Sequence, residues 1–223
     1  HIDDQTFGDD PLRVKRAMSL AARFDLALDP RTAVICQNIR HKFDALPKKR
    51  LWDEWQKWAA KGKNLGQGLR VLEQTGWLEC YPTLAAMREI PQNPKHHPEG
   101  HVWTHTQFVC DTVPGLAQKY KLTPRETFIL GLTALLHDQA KAKGFGTPEA
   151  ITKKNERGEW VSPGHEEAGE QLARDFACQI MPNAAQAKSV NGEELSIVES
   201  AAKLTTCHMR HLQATTPRAV QRI

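Results

Sequence analysis

Proline and its capping neighbours constrain what this chain can fold into. Asp10 precedes Pro11, Asp29 precedes Pro30, Thr123 precedes Pro124 and Ser162 precedes Pro163. A short polar side chain satisfies the orphan N–H groups of a first helical turn, and proline in that turn sacrifices no hydrogen bond, so each pair reads as a helix start. Apolar residues then recur at helical spacing. The expected helices cover residues 9–24, 29–39, 47–60, 65–75, 81–90, 102–121, 124–140, 164–181 and 193–212, the last opened by Asn191. Gly62 and Gly76 stop two of them. No strand-like alternation extends beyond a few residues. The fold class expected is all-α. Residues 90–100, IPQNPKHHPEG, carry three prolines and a glycine and mark the expected domain boundary, giving residues 1–95 and 96–223. The stretch from Lys141 to Pro163, rich in Gly, Pro and charge, reads as a loop.

The 223 residues suffice for one or two domains, with ordinary globular proportions of apolar and charged residues. No window approaches 18 continuous apolar residues, so no membrane span is expected. The five cysteines are scattered, odd in number and never spaced as CxxC, which points to reduced, mostly buried thiols and a cytoplasmic location. The chain begins with His1 and shows no signal-peptide pattern, so its true start is expected upstream. Between Arg40 and Lys63 stand eight Lys/Arg against three Asp/Glu, a local charge of +5. The whole chain is +4, leaving −1 for the rest. Such a patch fits an anionic partner such as RNA, or else a solvated helix face. Trp52, Trp55 and Trp58 within it could stack on bases, but tryptophans on one helical stripe are more often core.

Chemistry concentrates in ALLHDQAK. His137 and Asp138 end an apolar helix, where a charged pair is costly unless something binds it. Adjacent helical residues point about 100° apart, so both reach one point only if it lies close to the helix. A divalent metal, taking imidazole and carboxylate together, fits. His105, His165 and His208 each lie on another expected helix, His208 following Ala201 and Leu204 on what reads as an apolar face. Four helices each presenting a histidine is how a helical bundle builds a metal site.

His105 with His137–Asp138 resembles the HD superfamily of metal-dependent phosphohydrolases. HPEGHVWTHT resembles the HPEGDVWxHT segment opening the HD domain of bacterial CCA-adding enzymes, with His101 where Asp is common. HDQAK resembles HDxGK, with Ala140 in place of Gly. The superfamily's last ligand is an Asp on a later helix. No Asp follows Asp175, so that ligand is expected beyond Ile223, or the site is incomplete. Independently, FGDDPLRVKRAMSLAARFDLALDPRT resembles the neck of class II tRNA nucleotidyltransferases, whose pattern is EDxxR, an arginine-rich helix and RFxxxxGF. Asp9, Asp10 and Arg13 match EDxxR; Asp25-Leu26 departs from Gly-Phe.

The chain is thereby identified with the CCA-adding and poly(A) polymerase family: a helical neck and body, then a helical HD domain. The resemblance implies metal ligation by His105, His137, Asp138, His165 and His208, and phosphoester hydrolysis (2′,3′-cyclic phosphates, 2′-nucleotides) by His137, Asp138 and Lys141. The ligand set suits nickel, manganese, cobalt or iron. It further implies that Asp10 and Arg13 template the incoming base, with ATP and CTP as substrates and the tRNA acceptor end as partner. A carboxylate accepts from an exocyclic amine and a guanidinium donates to the neighbouring ring nitrogen. Otherwise an Asp and Arg one turn apart are a helix cap and ion pair. The family's Gly-Ser turn and paired carboxylates, which hold the magnesium ions of nucleotidyl transfer on a sheet, are not found, so nucleotide addition is expected to depend on residues upstream of His1. The alternatives are a separate HD nucleotidase or phosphodiesterase, and a degenerate HD domain serving as an RNA-binding scaffold.

Overall fold

A computed structural model describes residues 7–181 and 192–209. Helices dominate: α1 Leu12–Phe24, α2 Pro30–Asn38, α3 Lys48–Lys61, α4 Leu65–Gln74, α5 Pro82–Ala86, α6 Val102–Tyr120, α7 Pro124–Leu136, α8 His165–Ile180 and α9 Gly192–Cys207. The segment after α7, expected to be a loop, holds a minimal antiparallel ribbon, β1 Lys153–Lys154 and β2 Trp160–Val161. The all-α expectation holds. Asp29 caps α2 through the Thr32 amide at 2.9 Å, and Thr123 with Glu126 forms a reciprocal capping box on α7. Helix α8 starts two residues later than Pro163, after Gly164 in a left-handed conformation. Asn191 and the stretch after Met209 lie outside the described residues.

The expected helix over 81–90 is a short α5 followed by a 3₁₀ turn at Met87–Glu89. Tyr81, Leu84, Met87 and Ile90 are all buried. That spacing of three suits a 3₁₀ turn, whose residues i and i+3 eclipse, better than a 3.6-residue helix.

Helix α1 packs on α3 and α4, α4 on α6, α6 on α7, and α9 on α7 and α8; α3 spans both groups by packing on α7 and α8. Buried apolar side chains from Leu12 to Ala202 form one cluster that runs through both sides of the proline-rich segment. The three tryptophans are at its centre: Trp52, Trp55 and Trp58 are at most 1% exposed. They pack edge-on against Phe128, Tyr81 and one another. They are core, and stack on no RNA. Close approach needs two glycines: a Cβ at Gly68 would stand 2.8 Å from the Met18 carbonyl oxygen and the Trp58 ring, and one at Gly131 2.7 Å from Ala59.

Lys15 is the exception to this apolar interior. It is fully buried, with its Nζ 3.8 Å from the Trp55 ring centre, 5.0 Å from that of Tyr81 and 3.2 Å from Met18 Sδ. Burial pushes its amine well below the ordinary value of 10.5. The neighbouring buried carboxylate, Glu54, is taken by Ser19 Oγ at 2.6 Å and Lys57 at 2.8 Å. All five cysteines are free, as expected, but only Cys36 and Cys110 are buried; Cys80 and Cys207 are partly exposed and Cys178 is exposed, so the expectation of mostly buried thiols is not met. No helix among the described residues is long and apolar enough to cross a membrane.

Candidate metal centre

Helix α7 ends at Leu136, four residues before the sequence reading had it. His137 keeps near-helical angles, but Asp138 sits at φ −110°, ψ 4°, outside the α region. This break answers the angular problem posed by adjacent ligands, since the chain turns between them and both side chains face one point. The other candidate ligands also stand at or near helix ends. His165 is the first residue of α8, His208 follows the last residue of α9, and His105 lies in the first turn of α6. Leu204, read as the apolar face beneath His208, is 45% exposed; Ala201, Ala202 and Thr205 are the buried residues of that turn.

The five side chains meet around Asp138. Its Oδ2 lies 3.2 Å from His137 Nε2 and 4.0 Å from His105 Nε2. Its Oδ1 lies 3.3 Å from His165 Nε2 and 3.7 Å from His208 Nε2, these two nitrogens being 3.3 Å apart. Two triads therefore share the carboxylate: His105–His137–Asp138 and Asp138–His165–His208. Asp138 is 2% exposed, and its Oδ1 has no hydrogen-bond partner among the described residues.

The opposite ring nitrogens set the orientation of each ring. Nδ1 of His137 faces the Ala134 carbonyl at 2.9 Å, that of His165 the Ser162 carbonyl at 2.7 Å, and that of His208 the Thr205 carbonyl at 2.5 Å. Nδ1 of His105 faces Glu99 Oε1 at 2.6 Å. Carbonyl and carboxylate oxygens only accept, so each Nδ1 carries a proton, and in a ring that is neutral Nε2 turns a lone pair toward Asp138. Lone pairs facing a buried carboxylate are unfavourable without a cation between them, and outer partners that fix the tautomer are the usual support of metal-bound histidines. The donor set is nitrogen and oxygen with no thiolate, as suits a transition metal other than structural zinc.

Protonation of the rings competes with that arrangement. Burial alone would raise Asp138, but His137, His165 and Lys141 hold its carboxyl well below the usual range. Burial pulls His105 and His208 down, favouring the neutral ring. His137 is raised despite its burial, because Asp138 favours the imidazolium. Lys141 Nζ is 2.8 Å from Asp138 Oδ2 and 3.0 Å from Gln92 Oε1. Sequence reasoning assigned no role to Gln92 or Glu99, whose contacts to the site come from the irregular segment before α6. Glu99 also accepts from His97 Nδ1 at 3.1 Å.

Asp10 and Arg13 lie elsewhere, at the start of α1. The Asp10 carboxylate caps the Leu12 amide at 3.2 Å and pairs with Arg16 at 3.3 Å and Arg50 at 3.4 Å. It thereby joins the start of α1 to the basic start of α3. The Arg13 guanidinium lies 6.0 Å from the Phe7 ring centre. Much of the local +5 charge is engaged: Lys49 pairs with Asp53, Lys57 with Glu54, and Lys48 bonds the Gln179 carbonyl.

No protein-family model matches the chain. Among curated proteins it is 31% identical over 180 residues to the "Multifunctional CCA protein" of Halorhodospira halophila, covering 78% of this chain and 39% of that protein. It is 33% identical over 183 residues to that of Mannheimia succiniciproducens, covering 78% and 40%. The counterpart from Nitrosospira multiformis is 30% identical over 183 residues, covering 79% and 39%. The chain spans about two fifths of the length of these relatives. With some 30% identity sustained across more than three quarters of its own length, the chain belongs to the family of the multifunctional CCA proteins.

Proposed function

We propose that this chain is the C-terminal part of a CCA-adding tRNA nucleotidyltransferase acting in the cytoplasm, and that its second half is an HD-type phosphohydrolase. In this reading residues 1–95 select the base and hold tRNA, and residues 96–223 carry the hydrolase. The observation that supports the hydrolase most is the buried Asp138 Oδ1, without a hydrogen-bond partner among the described residues, beside the Nε2 atoms of His165 and His208.

His105, His137, Asp138, His165 and His208 would hold a divalent ion of the nickel, manganese, cobalt or iron type. Such an ion, when bound, acidifies a water and draws charge from a phosphoryl oxygen. The chain supplies the rest. The four Nδ1–H bonds lock the rings, so little reorganisation accompanies binding. Lys141 holds Asp138 with one of its three N–H donors and Gln92 with another, which leaves it placed to hydrogen-bond a phosphate oxygen. In hydrolysis of a 2′,3′-cyclic phosphate, the water oxygen bonds to phosphorus, one ester P–O bond breaks, and a proton from water ends on the released ribose hydroxyl.

The neck would work with a catalytic head and its magnesium. Asp10 and Arg13 would read the base of ATP or CTP, and the basic residues of α3 would bind the phosphates of the tRNA acceptor end. Such contacts position RNA and read no sequence.

Metal analysis after reconstitution, with a 2′,3′-cyclic AMP assay, tests the hydrolase. The intact protein, with whatever follows Ile223, should retain metal and hydrolyse the cyclic phosphate, while His137→Ala and Asp138→Asn in it should lose both. Activity unchanged in both variants, or no metal retained by the wild type, would leave the second half a scaffold.

A further inference from the structure

A cavity of about 550 Å³ adjoins the Asp138 cluster and opens on it through Lys141 and His165. One wall is the irregular segment before α6, with Gln92 and His97; the facing wall is the β1–β2 ribbon, with Glu159 and Trp160. The ribbon is fixed at its root. Thr152, 2% exposed, donates to the Lys141 carbonyl at 2.8 Å and meets Ser162 Oγ at 2.8 Å. Its tip is built locally, because Asn155 Oδ1 accepts from the amides of Arg157 and Glu159 at 2.9 and 3.0 Å. Trp160 packs on Phe145 with ring centres 6.1 Å apart, and on Lys154, so these contacts tie the ribbon to its own excursion of the chain. A ribbon of two residue pairs is marginally stable by itself.

One contact reaches across the cavity. Lys95 Nζ lies 2.8 Å from Glu159 Oε1, between residues 64 apart in sequence. Among the described residues no other hydrogen bond or ion pair joins residues 153–161 to the opposite wall. The Lys95 side chain is 73% exposed and that of Glu159 30%, so the pair stands at the solvent edge. An exposed pair is weak and screened by salt, so it breaks readily. We infer that the Lys95–Glu159 pair is a latch that holds the ribbon across the entrance to the Asp138 cluster, and that traffic to and from the cluster passes when it opens. The access role rests on reading the cluster as a metal site; the latch itself rests on the ribbon's contacts.

Hydrogen exchange of the intact protein, read by mass spectrometry in peptides spanning residues 153–161, tests the latch. Four forms are compared: wild type, Lys95→Glu, Glu159→Lys, and the exchanged pair Lys95→Glu with Glu159→Lys. Each single variant should speed exchange of the ribbon about two- to fivefold, and the exchanged pair should return it close to wild type. High salt should speed the wild type in the same way and leave the single variants little changed. Release of bound manganese to a chelator should follow the same order, fastest in the single variants. Exchange alike in all four forms, or no recovery in the exchanged pair, overturns the latch. Faster exchange with manganese release unchanged would show that the ribbon does not guard the cluster, and overturns the inference too. A protein that retains no manganese would count against the metal reading of the cluster, and the exchange rates alone would then decide the latch.

Discussion

Lys15→Met should stabilise this protein, and by an amount that shrinks as pH rises. The lysine amine is wholly buried against Trp55, Tyr81 and a thioether, with the nearby Glu54 already engaged by Ser19 and Lys57. Deprotonating an ordinary lysine at pH 7 costs up to about 5 kcal/mol, which bounds the penalty. The Trp55 ring at 3.8 Å returns up to about 2 kcal/mol to whatever charge remains. Methionine of similar length keeps the packing and removes the amine, so a gain of about 2–3 kcal/mol is expected at pH 7. The folded-state value is lowered, so between it and 10.5 the unfolded chain binds more protons than the native one. Wild-type stability contributed by this group therefore rises with pH across that window, and the advantage of the variant fades toward 10.5. Cys36 and Cys80, both pushed up to about 11 by burial, act in the opposite sense above their ordinary value of 9.0; Cys36 is common to both proteins and cancels in the difference, whereas Cys80 interacts with Lys15, so the comparison is read below pH 9. Urea unfolding followed by circular dichroism at several pH values from 6 to 9 measures that difference. A destabilised variant, or a difference flat with pH, would show that the amine is charged and well solvated in the native state and that the burial argument is wrong.

Other outcomes follow from the same geometry. Gly68→Ala should cost about 1–3 kcal/mol in unfolding free energy, because the new methyl meets a backbone oxygen at 2.8 Å that cannot retreat without moving α1; a neutral effect would mean the α1–α4 crossing is loose. In an intact enzyme that includes a catalytic head, Asp10→Ala or Arg13→Ala should degrade discrimination between correct and incorrect nucleotides by about 1–3 kcal/mol, measured as a ratio of kcat/KM values; normal selectivity in both would reduce the pair to a helix cap. Binding of tRNA should weaken steeply with salt, and Lys61→Glu with Lys63→Glu, both exposed, should shrink the slope by roughly two. An affinity indifferent to salt would remove the basic segment from the interface.

The helices were legible because their signals are local. Asp29-Pro30 and Thr123-Pro124 needed only the next few residues to act as caps, and the structure uses both. The tryptophan stripe was legible as core for the same reason, being set by helical period alone. The gathering of His105, His137, Asp138, His165 and His208 was expected, but its geometry was not. Periodicity carries α7 through Ala140, whereas Asp138 at the turn that makes the site possible pairs with Lys141 three residues on, and Lys141 in turn bonds Gln92. Gln92 lies 49 residues from Lys141 in sequence. No spacing rule connects such residues, and the same holds for Glu99 behind His105. Leu204 misled because an apolar residue at the right interval is not thereby buried. The spacing of three from Tyr81 to Ile90 is present in the sequence and marks the change from the α5 helix to a 3₁₀ turn at Met87.

The placement of the ligands at chain turns bears on how the molecule comes together. The segments that meet at Asp138 run from His105 on α6 to His208 beyond α9, so almost half of the chain must be in position before the last imidazole arrives. Closing such long loops is entropically slow and gains nothing until late. The denatured chain holds no preformed cluster, so an ion captured there draws on folding itself for its affinity. Metal release by a chelator should then accelerate unfolding more than it slows the early collapse around the tryptophans. Bound metal in a preparation would accordingly count molecules that have completed their fold, rather than those that have merely become helical.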